Sequence, residues 1–197
     1  ATQQTGFSLV SQSNGSRTNE IGGIIWWGVD DAASTVYCPM YTCMTDIPLC
    51  FRVGNGSMMQ FSETAAFWIF NQVTNFAYTK YDYIHPEIAE RQARYEHDWA
   101  NKTLSISNKA EELYKEDPQK AVAFLTTFSC NEATKLCADW KMFYQYLFTK
   151  YMDGNVKTAV QKPENHKYIA PKVEQPRYSD DFYRAIIEQT GDKLKVY

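Results

Sequence analysis

The order of elements predicts an α+β protein, with β structure confined to the first 60 residues and helices after them. Three observations in the sequence carry this expectation. Residues 7–12 alternate, with Phe7, Leu9 and Ser11 set against Ser8, Val10 and Gln12. Residues 24–29 and 34–41 are two β-prone runs separated by Asp30, Asp31, Ala32 and Ala33. After Ser62 the apolar period changes from two to 3.6.

Each element follows from its residues in order. The alternation predicts a first strand over residues 7–13, and the two later runs predict a hairpin whose turn is built on the Asp pair. Gly22, Gly23 and Gly28, beside Trp26 and Trp27, imply the close approach of another backbone layer. Pro48, Gly54, Asn55 and Gly56 mark a long surface loop. Ser62 is the candidate cap of a helix burying Ala66, Ile69, Phe70, Val73 and Ala77. Pro86 suits the first turn of a second helix of about eight turns, striped by Ile88, Tyr95, Trp99, Ile106, Ala110 and Leu113. Asp117 and Pro118 open a third, with Ala121, Val122, Leu125 and Phe128 inward. A fourth spans residues 131–153 along Leu136, Trp140, Phe143, Leu147 and Tyr151, with Gly154 as its stop. Pro163, Pro171 and Pro176 make residues 155–177 an extended strap. A short helix capped by Ser179, burying Phe182, Ile186 and Ile187, ends before Gly191.

The expected organisation is a β-rich segment over residues 1–60, a helical domain over 61–154, and a strap with a terminal helix over 155–197. Three strands apolar on both faces cannot hide themselves, so polypeptide outside these residues is expected to complete the sheet.

Composition excludes several function classes. The 197 residues carry 20 Lys plus Arg against 23 Asp plus Glu, a net charge of −3, so no polybasic surface for nucleic acid is expected. Apolar residues reach 44%, which excludes a disordered chain. The apolar run over residues 21–29 is far short of the roughly 20 residues of a membrane helix, so no membrane span is expected. Five cysteines leave at least one thiol unpaired and mildly favour a reducing compartment such as the cytoplasm, with a periplasmic or secreted location left open. No basic and then apolar run follows Ala1, so no secretory signal is expected in these residues.

Few residues announce chemistry. Cys38, Cys43 and Cys50 are loosely spaced for metal ligation, but zinc favours closer pairs with His partners, and His85, His97 and His166 lie far along the chain. No metal and no cofactor are expected. A Cys–His nucleophilic pair has no short signature here, and spacing cannot show spatial adjacency. Asp30 and Asp31 serve either as a simple turn or as a substrate-facing group. Glu111, Glu112 and Glu116 read as a solvated helix end, and Trp99, Trp140, Phe143 and Phe148 as core. Three triplets beginning at Asn14, Asn55 and Asn101 match the glycan acceptor pattern, which matters only in a glycosylating pathway.

The run from Glu20 through Ile-Gly-Gly-Ile-Ile-Trp-Trp-Gly-Val to Asp31, continuing through Tyr37-Cys-Pro-Met-Tyr41 to Pro48, resembles the C-terminal part of the cysteine dipeptidases of the N-terminal-nucleophile hydrolase superfamily, the dipeptidase A type in peptidase family sixty-nine of the cysteine peptidases. Ala65-Ala-Phe-Trp-Ile-Phe-Asn71, Leu113 to Pro118 and Tyr146 to Gly154 are similar to that family in the same order. The resemblance implies an αββα sandwich followed by a helical domain. It also implies amide hydrolysis by an N-terminal cysteine whose own α-amino group is the base. Ala1 has no nucleophilic side chain and the five cysteines are internal, so no catalytic residue is expected in this chain. The implied partners are a dipeptide substrate and the remaining N-terminal portion of the same enzyme; homo-oligomer formation stays open. Family members commonly carry Arg where this chain has Asn14 after Gln12 and Ser13, and Asn donates a hydrogen bond without a charge. Asn14 and Asp30 are the candidate substrate-binding residues. A noncatalytic interaction module, or another amidase or acyltransferase of the same superfamily, stays open beside the dipeptidase.

Overall fold

The computed structural model describes residues 4–160 and 170–194. Ala1 and His166 lie outside the described residues. The chain is mixed α and β, mostly helical, and divides into two compact units, Ala1–Leu147 and Phe148–Tyr197.

The first unit holds a three-stranded antiparallel sheet of β1 (Phe7–Ser13), β2 (Gly23–Val29) and β3 (Cys38–Tyr41), in the order β1-β2-β3. The register sets Phe7 opposite Val29, Ser13 opposite Gly23, and Trp27 opposite Cys38. Among the described residues β1 pairs with β2 alone. Phe7 and Leu9 on one face of β1 and Val10 on the other are about half exposed. β3 is shorter than the expected 34–41 span because the backbone at Thr35 and Tyr37 bonds to the side chains of Gln92 and Glu96 instead of to a strand. A one-turn helix, α1 (Asn19–Gly22), separates β1 from β2, where none was expected. Thr18 anchors it by donating from its N and Oγ1 to Glu111 at 3.0 and 2.7 Å. Glu111 is thus a tether for α1, which holds its carboxyl below the usual range.

Helix α2 (Ala66–Ala77) buries the expected stripe, but it starts from Ala65 and not from a Ser62 cap. The Ser62 hydroxyl instead donates to Asn55 Oδ1 at 2.7 Å and receives the Thr64 N–H, closing the loop before the helix. Helix α3 (Tyr81–Glu116) begins a turn earlier than expected, leaving Pro86 inside it. Burial of Ile84 and the stacking of Tyr81 on His85 at 4.6 Å stabilise that extra turn.

The expected third and fourth helices are one continuous element, α4 (Pro118–Tyr151). The expected boundary before Asn131 is continuous helix. In the fold Ser129 is fully buried, and its Oγ accepts the Tyr41 N–H at 3.1 Å on the outer edge of β3. Tyr41 joins the sheet to α3 as well, since its hydroxyl reaches Ser107 Oγ at 2.7 Å and donates to the Thr103 carbonyl at 3.2 Å. Around it Ile21, Ile24, Ala110, Leu125 and Phe128 form a core. Phe70 stacks on Trp140 at 4.9 Å in a neighbouring layer. At roughly 25 cal/mol per Å², such buried aromatics dominate the stability of the unit.

In the second unit β4 (Val156–Thr158) pairs antiparallel with β5 (Lys172–Glu174), so the expected strap carries a short ladder. Helix α5 (Asp180–Thr190) is capped as expected, with Ser179 Oγ accepting the Phe182 N–H. The expected burial fails: no α5 residue is buried, and Phe182 and Ile187 are exposed. An amphipathic period supplies an apolar stripe but does not supply its cover.

Among the described residues no helix is long and apolar enough to cross a membrane.

Candidate functional site

β2 ends at Val29, and the chain turns through Asp30 in the left-handed region, with φ of 66°. Asp tolerates that conformation better than most residues with a Cβ, yet it remains uncommon and is often retained at working sites. The Asp30 N–H donates to the Gly6 carbonyl at 3.0 Å, extending the β1-β2 ladder by one step. Its side chain is 1% exposed. Oδ1 accepts from Asn71 Nδ2 of α2 at 2.9 Å, while the buried Oδ2 has no hydrogen-bond partner among the described residues. Burial pushes the Asp30 carboxyl above its ordinary value, opposed chiefly by the Asn71 hydrogen bond and reinforced by the neighbouring Asp31.

Asp31 is buried too but fully engaged. Its Oδ1 accepts the Ala33 N–H at 3.2 Å, and its Oδ2 accepts from Ser34 Oγ at 3.5 Å and the Tyr78 hydroxyl at 3.3 Å. Burial, and then the Asp31 charge, push the Tyr78 hydroxyl up. The rest of the connection is held by α3. Gln92 Nε2 donates to the Thr35 and Ala33 carbonyls at 2.6 and 3.1 Å, and Glu96 Oε1 accepts the Tyr37 N–H at 3.3 Å. Burial raises the Glu96 carboxyl. The loop is thereby bonded to both α2 and α3.

Asn14 occupies the other end of the same ladder. Its N–H donates to the Gly22 carbonyl at 2.8 Å, and its Oδ1 accepts from Ser16 N and Oγ at 3.0 and 2.7 Å. A Cβ on Gly22 would stand 2.6 Å from the Asn14 carbonyl oxygen, so the close approach requires glycine there. Asn14 is exposed and borders a cleft of about 370 Å³ with Gln12, Asn19, Gly23 and Thr42. Asp30 bonds to Gly6, eight residue steps from Asn14 along the same strand, which puts the two candidates roughly 26 Å apart. An extended dipeptide spans roughly 7 Å. The fold does not bring Asn14 and Asp30 to one short substrate.

No described histidine pairs with a cysteine. His85 Nε2 lies 3.4 Å from the Ala33 carbonyl, and His97 Nε2 contacts Asn101. All five cysteines are free thiols. Cys38 is fully buried, and burial pushes its thiol well up, away from nucleophilic use. Among the described residues no group of three or more His, Cys, Asp or Glu is arranged to hold a metal ion.

Sequence reasoning did not single out Asn71, Thr74, Tyr78, Gln92 or Glu96 as partners of this loop. The available signal was two polar residues, Asn71 and Thr74, set close to the apolar stripe of α2.

Residues 1–94 match the model of peptidase family C69. The match is a similarity over 94 of the 197 residues. It takes in the whole sheet, α2 and the first part of α3, and with them Asn14, Asp30, Asn71 and Gln92. The matched residues thus contain the acidic loop and its partners Asn71, Tyr78 and Gln92. No curated protein matches the chain.

Proposed function

We propose that this chain is the C-terminal part of a cysteine peptidase that hydrolyses dipeptides, with the N-terminal cysteine nucleophile carried by polypeptide outside it. The observation behind this reading is the unfinished sheet. β1 has one pairing partner among the described residues, and Phe7, Leu9 and Val10 leave apolar surface on both of its faces. Such an edge suits the interior of an αββα sandwich and is a liability in isolation. The match of residues 1–94 to the C69 family supplies the peptidase class.

Within that enzyme Asp30 is the favoured substrate contact. A carboxylate at the end of the β2 strand suits the free ammonium group of a dipeptide, a contact that also favours short substrates over long chains. Asn14, at the far end of the ladder, is the rival anchor, offering its amide N–H groups.

The N-terminal residue of the intact natural protein tests the reading directly. A processed N-terminal Cys supports it and a different residue removes it. The 197-residue chain alone should not turn over a dipeptide panel, and supplying the upstream portion should restore turnover. Activity of this chain alone, abolished by Cys38→Ala, overturns the assignment.

A further inference from the structure

Two Asn-Gly pairs, Asn14–Gly15 and Asn55–Gly56, occur in the chain, and the fold gives their carboxamides different surroundings. Asn55 is pinned from both sides. Its Nδ2 donates to the Leu49 carbonyl at 2.9 Å, and its Oδ1 accepts from Ser62 Oγ at 2.7 Å and Thr64 Oγ1 at 3.0 Å. Gly56 is crowded as well, since a Cβ there would stand 3.0 Å from Ser62 Cβ and 3.1 Å from the Gln60 carbonyl oxygen. Asn14 is anchored only through its oxygen, which accepts from Ser16 N and Oγ within the same turn. Asn14 and Gly15 are exposed, and among the described residues neither Asn14 Nδ2 nor the Gly15 N–H has an acceptor.

We propose that Asn14 is a site of spontaneous deamidation, converted through a succinimide to aspartate and isoaspartate, while its hydrogen-bonded cage protects Asn55. Ring closure needs an unhindered nitrogen after the asparagine, an electrophilic carboxamide carbon and a leaving nitrogen that nothing holds. Gly15 meets the first need, because no atom stands within 4 Å of where its Cβ would lie. Ser16 meets the second. Its two donors on Oδ1 polarise the carboxamide and take up the charge that grows on the oxygen during attack. The exposed Nδ2 meets the third, where Asn55 fails because its Nδ2 is bonded to Leu49.

The chemistry balances with water as the co-reactant. The Gly15 nitrogen attacks Asn14 Cγ, the Cγ–Nδ2 bond breaks, and the Gly15 proton leaves with Nδ2 as ammonia. The succinimide then takes up one water. Opening at the Cγ–N bond gives aspartate, which adds a negative charge at the cleft of about 370 Å³. Opening at the other carbonyl gives isoaspartate, whose main chain runs through Cγ. The carbonyl that accepts the Arg17 N–H at 3.2 Å then becomes a free carboxylate, and the turn before α1 gains a methylene in its backbone. Both products lack the Nδ2 donors.

The test incubates the full-length protein in warm, mildly alkaline heavy-oxygen water, followed by digestion and mass spectrometry. The Asn14 peptide should gain the label roughly tenfold or more faster than the Asn55 peptide, which must first break three hydrogen bonds. An isoaspartate-specific methyltransferase should label the Asn14 peptide. Gly15→Ala should slow conversion about tenfold without lowering the melting temperature, because the added Cβ shields the attacking nitrogen and meets no other atom. Ser62→Ala combined with Thr64→Ala should raise the Asn55 rate. Conversion of Asn55 as fast as Asn14 overturns the proposal, as does an unchanged rate in Gly15→Ala. So does an intact Asn14 after a time in which a free peptide of residues 11–18 is fully converted.

Discussion

The two ends of the β1-β2 ladder are built on opposite terms. At the Asn14 end the polar side chain is exposed, its oxygen is used by Ser16 two residues on, and the backbone closes locally on Gly22. Everything there is explained by the turn itself. At the Asp30 end two carboxylates are buried, the backbone has a positive φ, and the bonds run to helices tens of residues away. A turn needs none of that. The difference teaches that Asp30 carries costs in burial and backbone conformation that its own loop does not require, and such costs point to use outside the loop.

The largest expected effect follows from this contrast. In the intact enzyme, Asp30→Asn should lower kcat/KM for dipeptides about tenfold or more, the scale of losing a charge-assisted hydrogen bond of about 1.5–3 kcal/mol. Its melting temperature should not fall, because Asn keeps an acceptor for Asn71, tolerates the left-handed conformation and carries no buried charge. Normal kinetics with lost stability would make Asp30 structural and erase the distinction between the two ends.

The next effect is on stability. Asn71→Ala removes the amide that donates to the buried Asp30 carboxylate and should cost about 1–3 kcal/mol in urea unfolding at neutral pH. In the Asp30→Asn background the cost should shrink, and an unchanged cost would mean that Asn71 acts through packing alone.

The pH dependence sharpens the same point. The Asp30 carboxyl titrates above its ordinary 3.8 in the fold, so the folded state holds the proton more tightly than the unfolded chain. Below that ordinary value both states are protonated and Asp30 adds no pH-dependent cost. As pH rises through the folded value, ionisation in the buried site destabilises the wild type, and the full cost is present above it. The stability of Asp30→Asn relative to wild type should therefore rise with pH from about 3 and level off toward neutrality. A flat difference would show that desolvation does not govern this carboxylate.

The smallest effect belongs to the other end. Asn14→Ala should cost about 1 kcal/mol or less, because the turn it closes is exposed to water. If it lowers kcat/KM more than Asp30→Asn does, the substrate anchor lies at Asn14 and the comparison reverses.

Much of the fold was legible in the residues. The alternation at Phe7 to Ser11 and the stripes through Ile69 and Trp140 reflect local periods that any packing partner must respect. The breaks were harder to read. The expected break before Asn131 does not exist, and at Ser129 the helix runs on because β3 presents the Tyr41 N–H to its hydroxyl. Phe182 and Ile187 looked buried because periodicity shows which face is apolar and says nothing about what lies over it. At the site, the Asp pair was visible as turn residues. Their burial was not, because it depends on Asn71, Tyr78 and Gln92 arriving from two helices.

By itself the sequence determined the mixed α and β order, the strand at the Trp pair, the apolar faces of the long helices and the peptidase resemblance. These rest on local period, turn chemistry and motif order, which the chain carries without folding. Only the tertiary structure decided that Asn14 and Asp30 lie at opposite ends of the ladder and that one Asp30 oxygen is buried without a partner among the described residues. Those outcomes depend on long-range register and desolvation, and both arise only when distant segments exclude water from the same place.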